Sequence, residues 1–212
     1  MIKIQVFAVN AFQENSYLLF DDSNEAILID PGFYEEFEYE ELYAFLELHS
    51  LKLIKIVNTH SHIDHVLGVD SIKEKYKIPF LIHPTDEQTL RMNKVVSEMY
   101  GMPLYREPQV DGYFKEGEVI EFGASSLQIR FAPGHAPGHV IFFSPEQNFA
   151  IVGDVIFRTS IGRTDLPGGN HEDLLKNIRE QVFTLPSDCE LYPGHGPSTT
   201  VGFEIENNPY LN

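Results

Sequence analysis

The feature that constrains this chain most is a run of imidazole and carboxylate side chains placed directly after an apolar strand. Residues 53–57 have the composition of a buried strand, and the motif His60-x-His62-x-Asp64-His65 follows it almost at once. Alternate residues of an extended segment point the same way, so His60 and His62 can bind one cation. If a helix begins near Asp64, then Asp64 and His65 turn away and face a second position. The motif predicts a metal centre; the alternative is a polar loop with solvated histidines.

Three later segments end an apolar run in a similar way. Each puts a candidate ligand directly after a glycine at a strand end: Ala132-Pro133-Gly134-His135, Val152-Gly153-Asp154 and Tyr192-Pro193-Gly194-His195. Glycine lets the backbone turn tightly and approach an ion closely. Each segment alone is a common turn pattern, but together with the first motif they predict three more ligands. Imidazole and carboxylate donors suit zinc, iron or manganese.

The rest of the sequence predicts the frame that holds these segments. Short apolar runs and alternation predict strands over residues 2–8, 16–20, 26–30, 53–57, 79–82, 119–122, 127–132, 140–144, 149–152 and 190–192. Helical spacing predicts helices over residues 35–49, 66–76, 84–100 and 170–183. Residues 101–118 show no clear element and are interpreted as a surface excursion. The pattern predicts an α+β fold with two sheets, each covered by helices, and a single domain over residues 1–212.

Composition narrows the classes of partner. Asp and Glu number 32 against 15 Lys and Arg, a formal net charge of −17, which disfavours nucleic acid as a substrate. Cys189 is the single cysteine, which is typical of a reducing cytosol. The first ten residues lack the apolar stretch of a signal peptide, and no apolar run approaches the roughly 18 residues of a membrane span. We therefore expect a cytoplasmic protein with no membrane segment.

The ordered set of candidate ligands resembles the metallo-β-lactamase superfamily. The likeness begins at Asn15-Ser16-Tyr17-Leu18-Leu19 and Ile29-Asp30-Pro31-Gly32 and ends near Asn208-Pro209. Residues 161–169 and 192–197 are similar to loops of its short single-domain glyoxalase-II-like members, the hydroxyacylglutathione hydrolase-like branch. The resemblance implies a four-layer αββα sandwich with metals at one edge, between the two sheets.

The resemblance also implies a role for each ligand. It implies two divalent metal ions, with zinc expected first and iron or manganese as alternatives. The first metal would be held by His60, His62 and His135, and the second by Asp64, His65 and His195. Asp154 would bridge the two, and the carboxylates of Asp64 and Asp154 are the expected catalytic groups. Asp30 matches an aspartate that orients a ligand histidine.

The reaction implied is metal-assisted hydrolysis of a small-molecule thioester such as S-lactoylglutathione. Two cations would bind a bridging hydroxide that attacks the carbonyl carbon. A thiolate has a pKa of about 8.5 and leaves with little need for protonation. Full-length glyoxalase II carries a C-terminal helical domain whose basic residues bind glutathione. This chain ends about 17 residues after His195, so the use of glutathione stays open.

Several rival functions share part of this pattern. A persulfide dioxygenase with one iron would share His60, His62, His135 and Asp154, but residues 194–197 look like the hydrolase branch. β-Lactamases lack or replace the bridging carboxylate, and a nuclease is disfavoured by the net charge. A non-catalytic metal-binding module has no need of a bridging carboxylate, and the flavodiiron type carries glutamate where His62 stands.

Three further residues have open roles. His139 lies four residues after His135, and spacing alone does not choose the ligand; the resemblance selects His135 and leaves His139 a structural or orienting role. Arg163 and Asp165 lie on a glycine-rich loop shortly after Asp154. They form either a local salt bridge that shapes the loop, or a pocket wall in which Arg163 contacts substrate.

Overall fold

The first sheet of the protein, seen in a computed structural model that describes residues 1–115 and 117–211, has its six strands side by side in chain order. They are β1 (Lys3–Val9), β2 (Glu14–Phe20), β3 (Glu25–Ile29), β4 (Lys52–Val57), β5 (Phe80–Ile82) and β6 (Gly112–Tyr113). Strands β1, β2 and β3 are antiparallel, whereas β3 to β6 run parallel. The parallel strands β4 and β5 therefore end at the same edge of the sheet.

The second half of the chain forms a second six-stranded sheet and a separate hairpin. In chain order the strands are β7 (Val119–Phe122), β8 (Ser125–Phe131), β9 (Val140–Ser144), β10 (Phe149–Gly153), the hairpin strands β11 (Ile156–Phe157) and β12 (Ser160–Ile161), then β13 (Glu190–Pro193) and β14 (Thr199–Thr200). Within the sheet the order is β14-β13-β10-β9-β8-β7. Strand β13 lies parallel to β10, while β7 to β10 form an antiparallel meander.

Helices cover the outer face of each sheet. They are α1 (Glu36–Leu48), α2 (Val69–Tyr76), α3 (Glu87–Met99), α4 (His171–Asn177), which continues as a π-helical turn over Ile178–Val182, and α5 (Val201–Asn207). Side chains of α1, α2 and α3 pack on the first sheet, and those of α4 and α5 pack on the second. None of the helices in the described ranges is long and apolar enough to cross a membrane.

The packing of β3 shows how the layers are joined. Ala26 and Leu28 face the helices, whereas Ile27 and Ile29 face the second sheet. Because both faces of the strand are covered, it is apolar without alternation. Each fully buried side chain of this kind contributes roughly 1.5–3 kcal/mol. The result is the αββα sandwich predicted from the sequence.

The structure corrects one sequence-based expectation and adds elements that the sequence did not indicate. Residues 101–118 are not simply a surface excursion, because β6 pairs with β5 and Phe114 is buried between the sheets; Glu116 lies outside the described residues. A two-residue strand followed by one buried aromatic has too few positions to show a period. The β11–β12 hairpin and β14 were missed for the same reason. Helix α5 was missed because its apolar residues Val201, Phe203 and Ile205 alternate and do not follow helical spacing.

Candidate metal centre

The candidate ligands lie in four loops that follow β4, β8, β10 and β13. Gly153 of β10 pairs in register with Pro193 of β13, so Asp154 and His195 leave the second sheet side by side. The N–H of Asn15 donates to the carbonyl of Gly194 at 2.7 Å, which ties β2 of the first sheet to the same point. The loops of the two sheets therefore meet at one edge of the sandwich.

The loop after β4 is held in shape by a buried amide. Asn58 donates from Nδ2 to the carbonyls of His60 at 3.2 Å and His65 at 2.7 Å. Between them the chain turns through a short 3-10 helix over Ile63–His65. The sequence predicted a helix beginning near Asp64. The turn begins there, but the α-helix α2 starts only at Val69.

A first ligand group consists of three histidines whose ring nitrogens converge. Nε2 of His135 lies 2.8 Å from Nδ1 of His62 and 3.2 Å from Nε2 of His60. Ligand atoms of these three residues all lie within 4.8 Å of one another. His60 and His135 are buried, and His62 is half-buried.

A second ligand group lies beside the first, with Asp154 between them. Oδ2 of Asp64 lies 3.2 Å from Nε2 of His195 and 3.8 Å from Nε2 of His65. Asp154 directs Oδ1 toward Nε2 of His65 at 3.5 Å. Its Oδ2 lies 3.5 Å from Nε2 of His135 and 3.6 Å from Nε2 of His195. One carboxylate thus reaches members of both groups.

Four of the histidines are anchored through the ring nitrogen that faces away from the centre. Each Nδ1 has its own partner: Thr59 Oγ1 for His60 at 3.1 Å, Asp30 Oδ2 for His65 at 3.1 Å, the Arg163 carbonyl for His135 at 2.8 Å and the Phe12 carbonyl for His195 at 3.1 Å. This is the usual arrangement around metal-binding imidazoles, because the outer bond fixes the ring and leaves Nε2 free to bind. The contacts of Thr59 and Phe12 were not found from the sequence, since a neighbouring hydroxyl and a backbone carbonyl carry no motif.

The electrostatics differ between the two groups. Burial alone would lower the pKa values of His65 and His195, but the carboxylates of Asp64 and Asp154 outweigh it and raise them, whereas His60 and His62 are shifted toward the neutral form. Burial lowers the pKa of His60 well below its ordinary value, and burial together with His135 lowers the pKa of His62 to about 3. Burial alone would raise the pKa of Asp154, but the imidazoles of His65, His135 and His195 outweigh it and lower the pKa. Neutral imidazole and ionised carboxylate are the metal-binding forms.

Two buried atoms at the junction of the groups fit a metal ion. Nε2 of His65 and Oδ1 of Asp154 have no hydrogen-bond partner of normal geometry within residues 1–115 and 117–211. A buried polar atom left without a partner costs about 1–3 kcal/mol. A side chain at Gly194 would place its Cβ 2.1 Å from Oδ1 of Asp154 and 2.7 Å from Cε1 of His65. Glycine is therefore required there, and the nitrogen and oxygen donors suit divalent zinc, iron or manganese.

The remaining sequence-predicted residues lie around the ligand groups. Asp30 accepts the N–H of Thr59 at 2.6 Å in addition to its contact with His65, and its oxygen is also within 4.8 Å of a ligand atom of His60. His139 lies outside both groups, and its Nε2 accepts the N–H of Asp154 at 3.0 Å. Its ring stacks on His60 at 4.7 Å.

Arg163 forms the local salt bridge that the sequence allowed. Its guanidinium makes two hydrogen bonds of 2.7 Å to the carboxylate of Asp165, and both side chains are largely exposed. The contact of Arg163 with the centre is made by its backbone carbonyl, which the sequence did not indicate. Aromatic side chains border the second group: Phe157 lies 6.0 Å from the ring of His195, and Tyr100 lies 5.3 Å from that of Phe12.

The fold and this cluster are those of a known class of metal-dependent hydrolases. The sequence profile of the metallo-beta-lactamase superfamily matches residues 9–195, and the chain belongs to that superfamily. A curated relative, the hydroxyacylglutathione hydrolase GloC of Haemophilus influenzae, is 35% identical over 221 residues, which cover 100% of this chain and 99% of the relative.

Two solved structures share the whole fold. BLEG-1 B3 metallo-beta-lactamase has a TM-score of 0.89 at 32% identity and covers 100% of both chains. TTHA1623, solved in a di-iron-bound form, has a TM-score of 0.87 at 34% identity and covers 98% of this chain and 100% of its own. These similarities confirm the family and the α+β sandwich expected from the sequence, and they support a metal-dependent hydrolase.

Proposed function

We propose that this protein is a dinuclear metal-dependent hydrolase that cleaves small-molecule thioesters, with S-lactoylglutathione as the type of substrate. The observation that carries the proposal is the place of Asp154, whose two oxygens reach ligand atoms of both groups. A single metal held by three histidines would not need a second group with a shared carboxylate. The likeness to a hydroxyacylglutathione hydrolase supports the thioester class.

The two ligand groups together fit two cations. The first would be held by His60, His62 and His135, the second by Asp64, His65 and His195, and Asp154 would be shared. Two divalent cations bound there would lower the pKa of a water between them and polarise the carbonyl of the substrate. We expect zinc first; the donors also suit iron, the metal named for TTHA1623.

The protein contributes position and charge to this reaction. The outer hydrogen bonds hold the ligand rings rigidly, so little reorganisation is needed when substrate binds. Asp64 and Asp154 supply two negative charges that offset part of the total charge of the cations. A thiolate leaves readily because its pKa is about 8.5, so the reaction does not require a protonated side chain beside the leaving group.

The rim of the centre suggests how the substrate is oriented. Phe12, Phe157 and the exposed Tyr100 offer apolar contact beside the second group. Arg163 lies on the loop beside the first group, where Asp165 offsets its charge. We expect the aromatic side chains to bind the thiol portion, with Arg163 contributing to recognition of an anionic group on it.

A second candidate activity is β-lactam hydrolysis, which one solved structure favours although the shared carboxylate of Asp154 favours the thioester class. The likeness to BLEG-1 B3 metallo-beta-lactamase covers both chains in full at 32% identity. Two cations held by these residues would supply a strained amide with the same chemistry as a thioester, namely a water of lowered pKa and a polarised carbonyl. The two substrate classes differ in their leaving group, so the same preparation can be assayed with both.

The test combines metal analysis with three assays. Protein purified without added metal is assayed for hydrolysis of S-lactoylglutathione, for hydrolysis of a chromogenic cephalosporin and for oxygen consumption with glutathione persulfide. We expect metal-dependent thioester hydrolysis that a chelator removes and added metal restores. His135→Ala should lose it, while the matched control His171→Ala, an exposed histidine at the start of α4, should keep it. Oxygen consumption without hydrolysis would identify a dioxygenase and contradict the proposal.

A further inference from the structure

Two buried polar side chains of the α3 region reach the loops that carry the first ligand group. Asp86, directly before α3, is fully buried, and its Oδ1 accepts the N–H of Gly138 at 3.2 Å. Asn93 lies within α3, is also buried, and donates from Nδ2 to the carbonyl of Ser61 at 2.8 Å. Ser61 stands between two ligands of the first group, and Gly138 lies in the loop that begins with the third. Helix α3 and the residue that precedes it therefore contact both loops of that group.

Asp86 also lies beside Ser61, in the other loop of the first ligand group. Burial raises the pKa of the Asp86 carboxyl, while the hydroxyl and N–H of Ser61, the N–H of Gly138 and the hydroxyl of Thr89 lie beside it and act in the opposite direction. A Cβ on Gly138 would lie 2.3 Å from Cβ of Asp86 and 2.6 Å from its backbone nitrogen. The two backbones therefore pack in direct contact. A buried carboxylate is costly unless it is hydrogen-bonded. Oδ1 of Asp86 has the N–H of Gly138 as its partner, whereas Oδ2 has no partner of normal geometry among the described residues, so the bond to Gly138 is what holds Asp86 at the loop of His135.

The second ligand group has a different set of supports. His65 is anchored by Asp30, and His195 by the carbonyl of Phe12. Among the described residues, none of the hydrogen bonds of Asp86 and Asn93 involves Asp64, His65 or His195. Asn58 and Asp30 support both halves of the centre, whereas the hydrogen bonds of Asp86 and Asn93 reach only Gly138 and Ser61.

We infer that Asp86 and Asn93 form a clamp that sets the metal affinity of the first ligand group and leaves the second group unaffected. Both are positioning residues: they act through Ser61 and Gly138 and bind neither metal nor substrate. This α3 clamp rests on the proposed two-group centre. Loss of such outer supports typically costs 10–100-fold in metal affinity.

The test measures each group alone. His195→Ala leaves the first group intact, and His62→Ala leaves the second. Asp86→Asn and Asn93→Ala are introduced into both backgrounds, and zinc affinity is measured by competition with a chromophoric chelator, without substrate. We expect about 10–100-fold weaker binding in the His195→Ala background and no measurable change in the His62→Ala background. Ser97→Ala is the matched control, since Ser97 is buried on the same helix and its hydroxyl donates to the carbonyl of Lys94.

Every outcome of this experiment either supports or overturns the α3 clamp. Equal losses in both backgrounds, or none in either, would overturn the clamp. Asn93→Ala carries the test if Asp86→Asn does not fold, because it removes one hydrogen bond and leaves the buried carboxylate in place; thermal unfolding of each variant establishes this. If the two parent variants bind no zinc before any α3 substitution is made, the proposed centre itself is wrong, and the clamp falls with it.

Discussion

The two sheets contribute to the metal centre in different ways. The first sheet supplies four candidate ligands from the single loop after β4, whose shape is set locally by Asn58. The second sheet supplies His135, Asp154 and His195 from three separate loops, which meet only because β8, β10 and β13 are correctly paired. Loss of Asn58, which bonds to a member of each group, should therefore disturb both groups, whereas a change in one loop of the second sheet should disturb one.

Asp154 lies in a loop of the second sheet but contacts both groups. Its loss should therefore have the largest effect on metal binding and hydrolysis. Asp154→Asn keeps the shape but removes the charge between the two groups, so two cations would repel each other more strongly. The second metal should bind more weakly than the first, and thioester hydrolysis should fall by orders of magnitude while the fold survives. Metal content, thermal unfolding and hydrolysis are measured side by side with Asp173→Asn, an exposed aspartate in the first turn of α4. Near wild-type hydrolysis with both metals retained would show that Asp154 is not shared.

The loop after β8 offers two histidines that should behave differently. His135→Ala removes a ligand of the first group and should empty it and abolish turnover. His139→Ala removes a ring that contacts the backbone of Asp154 and should retain both metals, with at most a 10–100-fold loss of activity. Metal analysis and kinetics of the two variants distinguish these roles, and the reverse result would reassign the ligand to His139.

Two asparagines test how the ligand loops are supported. Asn58 supports the loop after β4 from within that loop, and Asn177 supports the loop after β8 from helix α4. Asn58→Ala removes the amide that bonds to the carbonyls of His60 and His65, so zinc binding should weaken at both groups and stability should fall by about 1–3 kcal/mol. Asn177 donates to the carbonyl of Pro133 at 2.7 Å, in the loop of His135 alone. Asn177→Ala should therefore weaken the first group only. Zinc titration in the two single-group backgrounds measures both effects, and equal profiles for the two variants would refute the distinction.

The smallest effect on the centre is expected from Asp21. It directly follows β2, at the opposite end of that strand from Asn15, and connects the first sheet to Ala124 and Ser125. Burial alone would raise the pKa of Asp21, but hydrogen bonds from Ser23, Ser125 and the N–H of Ala124 outweigh it and lower the pKa to about 2. The stabilisation is present above the ordinary pKa of about 3.9 and is lost as pH falls toward 2. Asp21→Asn should lower the unfolding midpoint at neutral pH and reduce its dependence on acid, with zinc affinity unchanged. Unfolding curves from pH 7 to about 2 test this, and an unchanged acid dependence would contradict it.

The difference between the sheets also explains what could be predicted from the sequence. Most strands and helices were predicted because their apolar spacing extends over several residues. The four ligands after β4 form one motif, and the resemblance to a family then ordered the three scattered ones. The partners of the outer nitrogens stayed hidden, since the carbonyls of Phe12 and Arg163 have no signature and are placed only by tertiary packing. Asp86 and Asn93 were likewise ordinary residues of a predicted helix until the fold set them against Ser61 and Gly138.

The most direct test of the account is the number of metal ions that one chain binds. Apoprotein prepared with a chelator is titrated with zinc, and bound metal is measured by elemental analysis after gel filtration. The account predicts two ions per chain in the wild type and one in Asp64→Ala and in His195→Ala, because each of these substitutions removes a ligand from the second group. One tightly held ion in the wild type, unchanged in both variants, would contradict the dinuclear centre and point to a mononuclear enzyme.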